Sequence, residues 1–213
     1  MTSEVITMAL YAIDIMFIAG LYRLNKNAVL VGAAINMALI SVFAQRQLEF
    51  FGLQSNVGNV FYAAVIFAFS LMAYNKDDFM GKMHAIFGSM LLFTLMGQVI
   101  SYLPVHNQLV ADALGLITGT TVRIATASFM AFYLANGVNY MIINLDRFNL
   151  ASRKVAANWA AQLIDSAIFF PVAFIGILPL NVVASFTVSG FIIKIFLNTI
   201  DTPVFMKLAK GGV

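Results

Sequence analysis

Polar and charged side chains interrupt the apolar stretches in the last third of the chain. Gln162 and Asp165 are three residues apart, so they project from the same face of a helix. Lys194 and Asp201 are seven residues apart, which is about two helical turns, and they also share a face. A charge at the centre of a bilayer costs roughly 2.5–3.5 kcal/mol, so a chain that keeps such residues usually directs them inward. The chemistry open to these groups is hydrogen bonding and ion pairing with a polar ligand or a transported ion.

Each of these polar groups also has a structural interpretation. Asp165, Lys194 and Asp201 could form ion pairs that only hold helices together, although ionisable groups within a membrane are functional by default. The amides could be hydrogen-bond links between helices; they are Asn136, Asn139, Asn158 and Gln162. Trp159 lies near a helix start, where tryptophan often anchors a protein at the membrane interface. We favour substrate or ion handling for the charged residues and leave both interpretations open for the amides.

The residue types and motifs that catalysis needs are scarce. There is no cysteine, which excludes disulfides, thiolate zinc sites and cysteine nucleophiles. The two histidines, His84 and His106, are not in a metal-ligand spacing such as H-E-x-x-H. The chain also lacks the G-x-S-x-G element and the phosphate-binding loop of nucleotide-binding proteins. We therefore predict no enzymatic activity, no metal site and no cofactor.

The composition points to lipid as the solvent of this chain. Of its 213 residues, 62% are hydrophobic and 10% are charged, whereas soluble domains carry about 25% charged residues. The net charge of +3 is small, and no basic run suggests nucleic-acid binding. The sequence thus predicts an integral membrane protein whose surroundings are the lipid bilayer, without a nucleic-acid partner.

Stretches of about 20 apolar residues, the length needed to cross a bilayer, recur along the whole chain. We predict an all-α, polytopic helical bundle of six to seven spans, forming one transmembrane domain over residues 1–213. The further apolar stretch 109–120 could extend the fifth span or form a re-entrant piece. The predicted spans are 5–22, 28–45, 57–74, 83–103, 121–144, 155–178 and 182–206.

The basic residues of the connections favour seven spans. With that number, Arg46 falls on one side of the membrane and nine basic residues fall on the other. Short loops rich in lysine and arginine stay in the cytoplasm, so we predict an outside amino terminus and a cytoplasmic carboxyl terminus. The nine are Arg23, Lys26, Lys76, Lys82, Arg147, Arg153, Lys154, Lys207 and Lys210.

The carboxyl-terminal part of the chain resembles the queuosine precursor transporter family, also called the vitamin uptake transporter family. The resemblance covers about residues 120–206 and rests on the runs Arg153-x8-Gln162-Leu-Ile-Asp165-Ser, Ala173-Phe-x-Gly176 and Lys194-x6-Asp201-Thr-Pro203. The front half agrees less well, because Ser70 and Tyr74 stand where many members have acidic residues. An earlier copy of the Q-x2-D motif is altered to Asn136 and Asn139.

The resemblance implies import of a 7-deazaguanine precursor of queuosine, such as preQ0 or preQ1, across the inner membrane. A purine-like small molecule of this kind would be bound by amides and carboxylates at its edge and by aromatic faces. We expect the substrate site to contain Asn136, Asn139, Gln162 and Asp165, with Trp159 or Tyr62 as stacking partners. Lys194 and Asp201 are expected to form a neighbouring ion pair that couples or gates transport.

Two other functions are compatible with the sequence. One is the substrate-binding membrane subunit of an ATPase-driven vitamin importer, since such subunits are also small and all-helical. The other is a membrane structural or assembly protein without a substrate. We favour a stand-alone transporter, for which no ATPase partner is expected; the oligomeric state is open.

Overall fold

Long helices dominate the computed structural model, which describes residues 3–43, 46–76, 78–101 and 122–211. Within those ranges the chain forms eight α-helices, one short 3-10 turn and one β-hairpin. The all-α, multi-helix architecture predicted from the sequence is confirmed. The helices are α1 Ser3–Leu24, α2 Val29–Phe43, α3 Gly58–Asn75, α4 Phe79–Ser101, α5 Val122–Ile143, α6 Leu150–Phe174, α7 Leu180–Ile200 and α8 Thr202–Ala209, and the strands are β1 Gln47–Phe50 and β2 Leu53–Asn56.

Six helices in the described ranges are long and apolar enough to cross a membrane, namely α1, α2 with the preceding turn, α3, α4, α6 and α7. Helix α5 is 22 residues long, so its length also suffices, but it carries Arg123 and two buried asparagines that lower its apolar character. The chain is therefore a multi-pass membrane protein. The predicted stretch 109–120 lies outside the described residues.

Helix α3 forms the centre of the bundle. Its residues are buried continuously from Gly58 to Ala73, and it packs against α1, α2, α5 and α7. It contains no charged residue and is apolar on almost every side, which is the pattern of a helix surrounded by protein. The other helices leave apolar side chains exposed for lipid, as Ile13, Leu92 and Leu163 do.

A β-hairpin connects α2 to α3, in the interval between the predicted spans 28–45 and 57–74. Strands β1 and β2 pair antiparallel, and Phe51 and Gly52 form the two-residue turn with φ values of 49° and 77°. Positive φ at both positions is what the commonest two-residue hairpin turns require. The Phe50 ring is buried and lies 5.5 Å from the Phe196 ring, so the hairpin packs against the carboxyl-terminal part of α7.

The predicted seventh span, 182–206, is wrong at its carboxyl end. Helix α7 ends at Ile200, and a separate short helix begins at Thr202. Pro203 lies in the first turn of α8, where its missing N–H breaks no helical hydrogen bond, whereas it could not continue α7. This break places Asp201 at the junction of the two helices.

Helix α6 begins earlier than the predicted span 155–178. Asn149 caps its amino end by accepting a hydrogen bond from the Ser152 N–H at 2.9 Å. At the other end, the guanidinium of Arg123 donates to the carbonyl oxygens of Val172 and Ile175 at 2.6 and 2.5 Å. Arginine at this position satisfies carbonyls that the helix leaves unpaired and fixes α5 antiparallel to α6.

Candidate functional site: a buried polar stripe between two helices

One face of α6 carries a continuous line of buried polar side chains. Successive positions along it are three or four residues apart, with Asp165 and Ser166 side by side at one end, so the line follows the helix for about 18 Å at 1.5 Å per residue. All are at least nine-tenths buried. We call this line the α6 stripe; it consists of Lys154, Asn158, Gln162, Asp165 and Ser166.

Helix α7 presents complementary groups to the α6 stripe. Lys194 donates to the Asp165 carboxylate at 2.5 Å, and both side chains are buried. At the other end of the stripe, Lys154 donates to the Asp201 carboxylate and to the Asn198 carbonyl oxygen. Along the chain, the lysine precedes the aspartate both on α6 and on α7 with its following junction. Because the two helices are antiparallel, each lysine lies opposite the aspartate of the other helix, so α7 supplies the lysine of one pair and α6 that of the other.

The predicted ion pair between Lys194 and Asp201 is therefore wrong. Both residues are in ion pairs, but each has a partner on α6. Two residues on the same helix seven positions apart are roughly 10.5 Å apart along the axis, which is too far for direct contact between them when each has a closer partner. The prediction that Lys154 belongs to a cytoplasmic loop is also wrong, because its side chain is 0% exposed inside α6.

Asn198 connects the two ion pairs through the middle of the stripe. It accepts a hydrogen bond from the Gln162 amide at 2.6 Å. Its own amide donates to the carbonyl oxygen of Ala63 at 2.8 Å and to the Tyr11 hydroxyl at 3.0 Å. Tyr11 donates in turn to Asp201 at 2.6 Å. Helices α1, α3, α6 and α7 thus meet at one asparagine.

A second amide cluster joins α5 to the stripe. The amide groups of Asn139 and Asn158 are 3.0 Å apart, and the Ser70 hydroxyl lies 2.7 Å from the Asn158 amide. Ser70 also donates to the Ile66 carbonyl oxygen of its own helix. Asn139, predicted as a substrate ligand, is therefore engaged with protein partners, as a link between α3, α5 and α6.

Four buried polar side-chain atoms on α3, α5 and α6 lack a protein partner among the described residues. Buried groups of this kind are normally hydrogen-bonded, so each exception calls for an explanation such as a ligand. Tyr62, one of the four residues, also places its ring 5.2 Å from the Lys194 ammonium. The four atoms are Tyr62 Oη, Asn136 Oδ1, Gln162 Oε1 and Ser166 Oγ.

Trp159 does not join this group. Its side chain is 45% exposed, and its indole N–H donates to the Thr199 hydroxyl at 3.0 Å. The other interpretation of this residue, an anchor at the membrane interface, stays a prediction. Tyr62 and Asn136 are buried, and their role as substrate ligands stays a prediction.

Several participants received no role from the sequence. Tyr11 lies in the first helix, far from the motif-bearing region, and no local pattern connects it to Asp201. Lys154 directly follows Arg153, which pairs with the exposed loop residue Asp146, so the sequence suggested a loop position for both basic residues. A usable signal did exist: Lys154 and Asn158 precede Gln162 by eight and four residues, which puts them on the face of Gln162.

A comparison with known proteins identifies the family of this chain. The family described as "Putative vitamin uptake transporter" matches residues 56–208. This chain belongs to the vitamin uptake transporter family. The match includes the whole α6 stripe and its partners on α7, whereas Tyr11 lies before it. Membership makes the chain a membrane transporter rather than a scaffold.

A relative from Bacillus subtilis (strain 168), named "Probable queuosine precursor transporter", is 28% identical over 167 residues. The alignment covers 74% of this chain and 73% of that relative. No solved protein structure matches the chain.

Proposed function

We propose that this protein imports a 7-deazaguanine precursor of queuosine, such as preQ0 or preQ1, across the inner membrane. The observation that carries the proposal is a set of four buried polar atoms without a partner among the described residues. Two belong to Gln162 and Ser166 on the helix that carries Asp165, one to Tyr62, whose ring faces Lys194, and one to Asn136 on α5. The printed name of the Bacillus subtilis relative supports the substrate class.

The unpartnered atoms complement the edge of a guanine-like base. Such a base offers an N–H and an amino group as donors and a carbonyl oxygen as acceptor. The free amide oxygens of Asn136 and Gln162 can accept from the two donors, and the hydroxyl of Ser166 or Tyr62 can donate to the carbonyl. A stacked aromatic ring contributes about 1–3 kcal/mol per base in nucleic-acid complexes. In this proposal the ring is that of Tyr62, which lies 5.2 Å from the Lys194 ammonium.

The two ion pairs suit a gating role. Opening either pair leaves two charges in the low-dielectric interior, which is costly unless water or a ligand replaces the lost partner. In this proposal, substrate binding next to Asp165 competes with Lys194 and loosens one end of the α6–α7 contact. The Lys154–Asp201 pair closes the other end, which we assign to the cytoplasmic side.

Uptake of a radiolabelled deazaguanine precursor by cells that cannot synthesise it tests the proposal. We expect uptake with the wild-type protein and a loss of at least about tenfold with Gln162→Ala, because a site built from hydrogen bonds discriminates strongly when one is lost. The matched control is Gln54→Ala on the exposed face of the hairpin, which should transport normally. Wild-type uptake by Gln162→Ala would remove the site assignment.

Reconstitution into lipid vesicles separates this function from that of an ATPase-driven importer subunit. The purified chain alone should accumulate or exchange the precursor in vesicles without ATP. A strict requirement for an added ATPase module would contradict a stand-alone transporter.

A further inference from the structure

A buried acid outside the family-matched region has no role in the site described above. Asp14 lies halfway along α1, and its side chain is 8% exposed. At 22 residues α1 is about 33 Å long, so Asp14 is near the middle of the bilayer when α1 spans it. A carboxylate at this depth is expensive unless it is paired or neutralised.

The partner of Asp14 is a neutral amide. Asn36 of α2, which is fully buried, donates from Nδ2 to Asp14 Oδ1 at 2.8 Å and to the carbonyl oxygen of Gly32 at 3.0 Å. The remaining oxygens of both side chains, Asp14 Oδ2 and Asn36 Oδ1, have no hydrogen-bond partner among the described residues. Both of these atoms are acceptors, so the site lacks one donor hydrogen.

Within the described ranges, the elements packed against α1 do not supply a cation for Asp14. Helices α2 and α3, which pack against α1, contain no charged residue, and the titratable groups of α3 are Tyr62 and Tyr74. The other elements that contact α1 bring only exposed charges near the bundle ends, or a charge already paired; these are Glu49 of β1, Lys26 of the 3-10 turn, Lys207 of α8 and Asp201, which is paired with Lys154.

The charged and titratable groups of α1 itself do not neutralise Asp14 either. Arg23 is nine residues away, roughly 14 Å along the helix, and Glu4 is ten residues away in the other direction. Tyr22 bonds to Asn75, and Tyr11 bonds to Asp201. Asp14 therefore differs from Asp165 and Asp201, each of which has a buried lysine.

We propose that Asp14 and Asn36 form a proton-binding site that couples a proton to transport. A proton from the outer aqueous phase binds to Asp14 Oδ2, the carboxylate becomes a neutral carboxylic acid, and its O–H donates to Asn36 Oδ1. One proton thus satisfies both orphaned oxygens in an acid–amide pair. Release of the same proton to the cytoplasm restores the carboxylate.

A metal cation fits this site less well than a proton does. Hard cations such as Ca²⁺ and Mg²⁺ take about six or more oxygen ligands. No group of three or more His, Cys, Asp or Glu that could hold a metal ion exists in the part of the chain that the structure describes. The free oxygens here are one from a carboxylate and one from an amide.

A physical connection links this site to the transport site. Tyr11 is three residues before Asp14 on the same face of α1, and its hydroxyl donates to Asp201 of the Lys154–Asp201 pair. A change in how α1 packs against α2 therefore bears on the hydrogen bond that supports that ion pair. The coupling role, but not proton binding itself, rests on the proposed transport function.

Infrared difference spectroscopy of the purified protein in lipid nanodiscs tests proton binding without any substrate. The wild-type protein should show a protonated-carboxyl band that disappears as pH is raised. Asp14→Asn should lack this band and remain folded, because the new amide can donate to Asn36 Oδ1 in place of the acid. Asp146→Asn, which changes an exposed loop acid, should keep the band. An unchanged band in Asp14→Asn would overturn the proposal.

A second variant keeps the test decisive if Asp14→Asn does not fold. Asn36→Ala retains the acid and removes its amide partner, so the band should persist at a shifted frequency. A band at the wild-type frequency in Asn36→Ala would place the titrating group elsewhere.

Vesicle transport then tests coupling. Asp14→Asn should still exchange the precursor across the vesicle membrane. Its accumulation of precursor driven by an acidic exterior should fall at least about tenfold below that of the wild type, measured with potassium in place of sodium. Full acid-driven accumulation by Asp14→Asn would refute coupling. Absence of any transport by the wild type would instead refute the proposed function, and the infrared result would still decide the proton site.

Discussion

The side-chain amide of Gln162 donates to the side-chain oxygen of Asn198 at 2.6 Å, midway between two ion pairs of opposite direction. The Gln162 oxygen itself has no partner among the described residues. Gln162 thus uses its donor to hold α6 against α7 and leaves its acceptor for something else. This division suits a residue that belongs both to the framework of the bundle and to a ligand site.

Double-mutant cycles should show which charges interact. Asp165→Asn alone leaves Lys194 buried and unpaired, so we expect about 3–5 kcal/mol of destabilisation. Adding Lys194→Gln should recover much of this loss, which would appear as strong non-additivity in thermal or denaturant unfolding. The double variant should still fail to transport, because the ligand-facing charges are gone.

The control for that cycle is the pair first predicted from the sequence. Lys194→Gln and Asp201→Asn remove residues with different partners, so their effects on unfolding should be nearly additive. A large coupling between these two residues would contradict the pairing seen in the structure.

Ser166→Ala should separate stability from transport. The Ser166 hydroxyl is buried without a partner in the described structure, so removing it should leave the melting temperature unchanged or slightly raised. We expect uptake of the precursor to fall several-fold, because the substrate loses a hydrogen bond.

Ser70→Ala is the matched comparison for Ser166→Ala. Ser70 lies against the Asn158 and Asn139 amides, so its removal should cost about 1–3 kcal/mol of stability. If Ser166→Ala transported normally at wild-type stability, the hydroxyl would have no ligand role.

Single cysteines can establish the orientation, since the natural chain has none. We predict that Lys207→Cys reacts with a membrane-impermeant thiol reagent only after the cytoplasmic face is opened, and that Gln54→Cys on the hairpin reacts in intact cells. Both positions are exposed, so burial does not confound the comparison. The reverse labelling pattern would invert the predicted topology.

The helices were largely predictable because lipid-exposed segments must be apolar and continuous. Helical spacing predicted that Gln162 and Asp165 share one helix face and that Lys194 and Asp201 share another. The pairing between those faces did not, since it depends on the antiparallel packing of α6 and α7 and on where α7 stops. The pairing of Asp201 with Lys154 depends on the helix break before Pro203, which the sequence did not predict.

Two other features were hidden for different reasons. The turn of the β-hairpin requires a positive φ at Phe51. Phenylalanine rarely adopts this conformation, so its presence does not predict a turn, and no hairpin was predicted between α2 and α3. The Tyr11 contact joins residues 190 positions apart, and no local pattern encodes it. Spacing revealed which residues share a face, whereas tertiary packing determined what each face touches.

The hairpin has a mechanical consequence for α7. The Phe50 and Phe51 rings lie 5.5 and 6.3 Å from the Phe196 ring. Phe196 follows Lys194 by two residues in the same helix, α7. A tilt of α7 large enough to separate Lys194 from Asp165 would also move Phe196 relative to the Phe50 and Phe51 rings. A spectroscopic label at the hairpin tip would consequently register each opening of the ion pair.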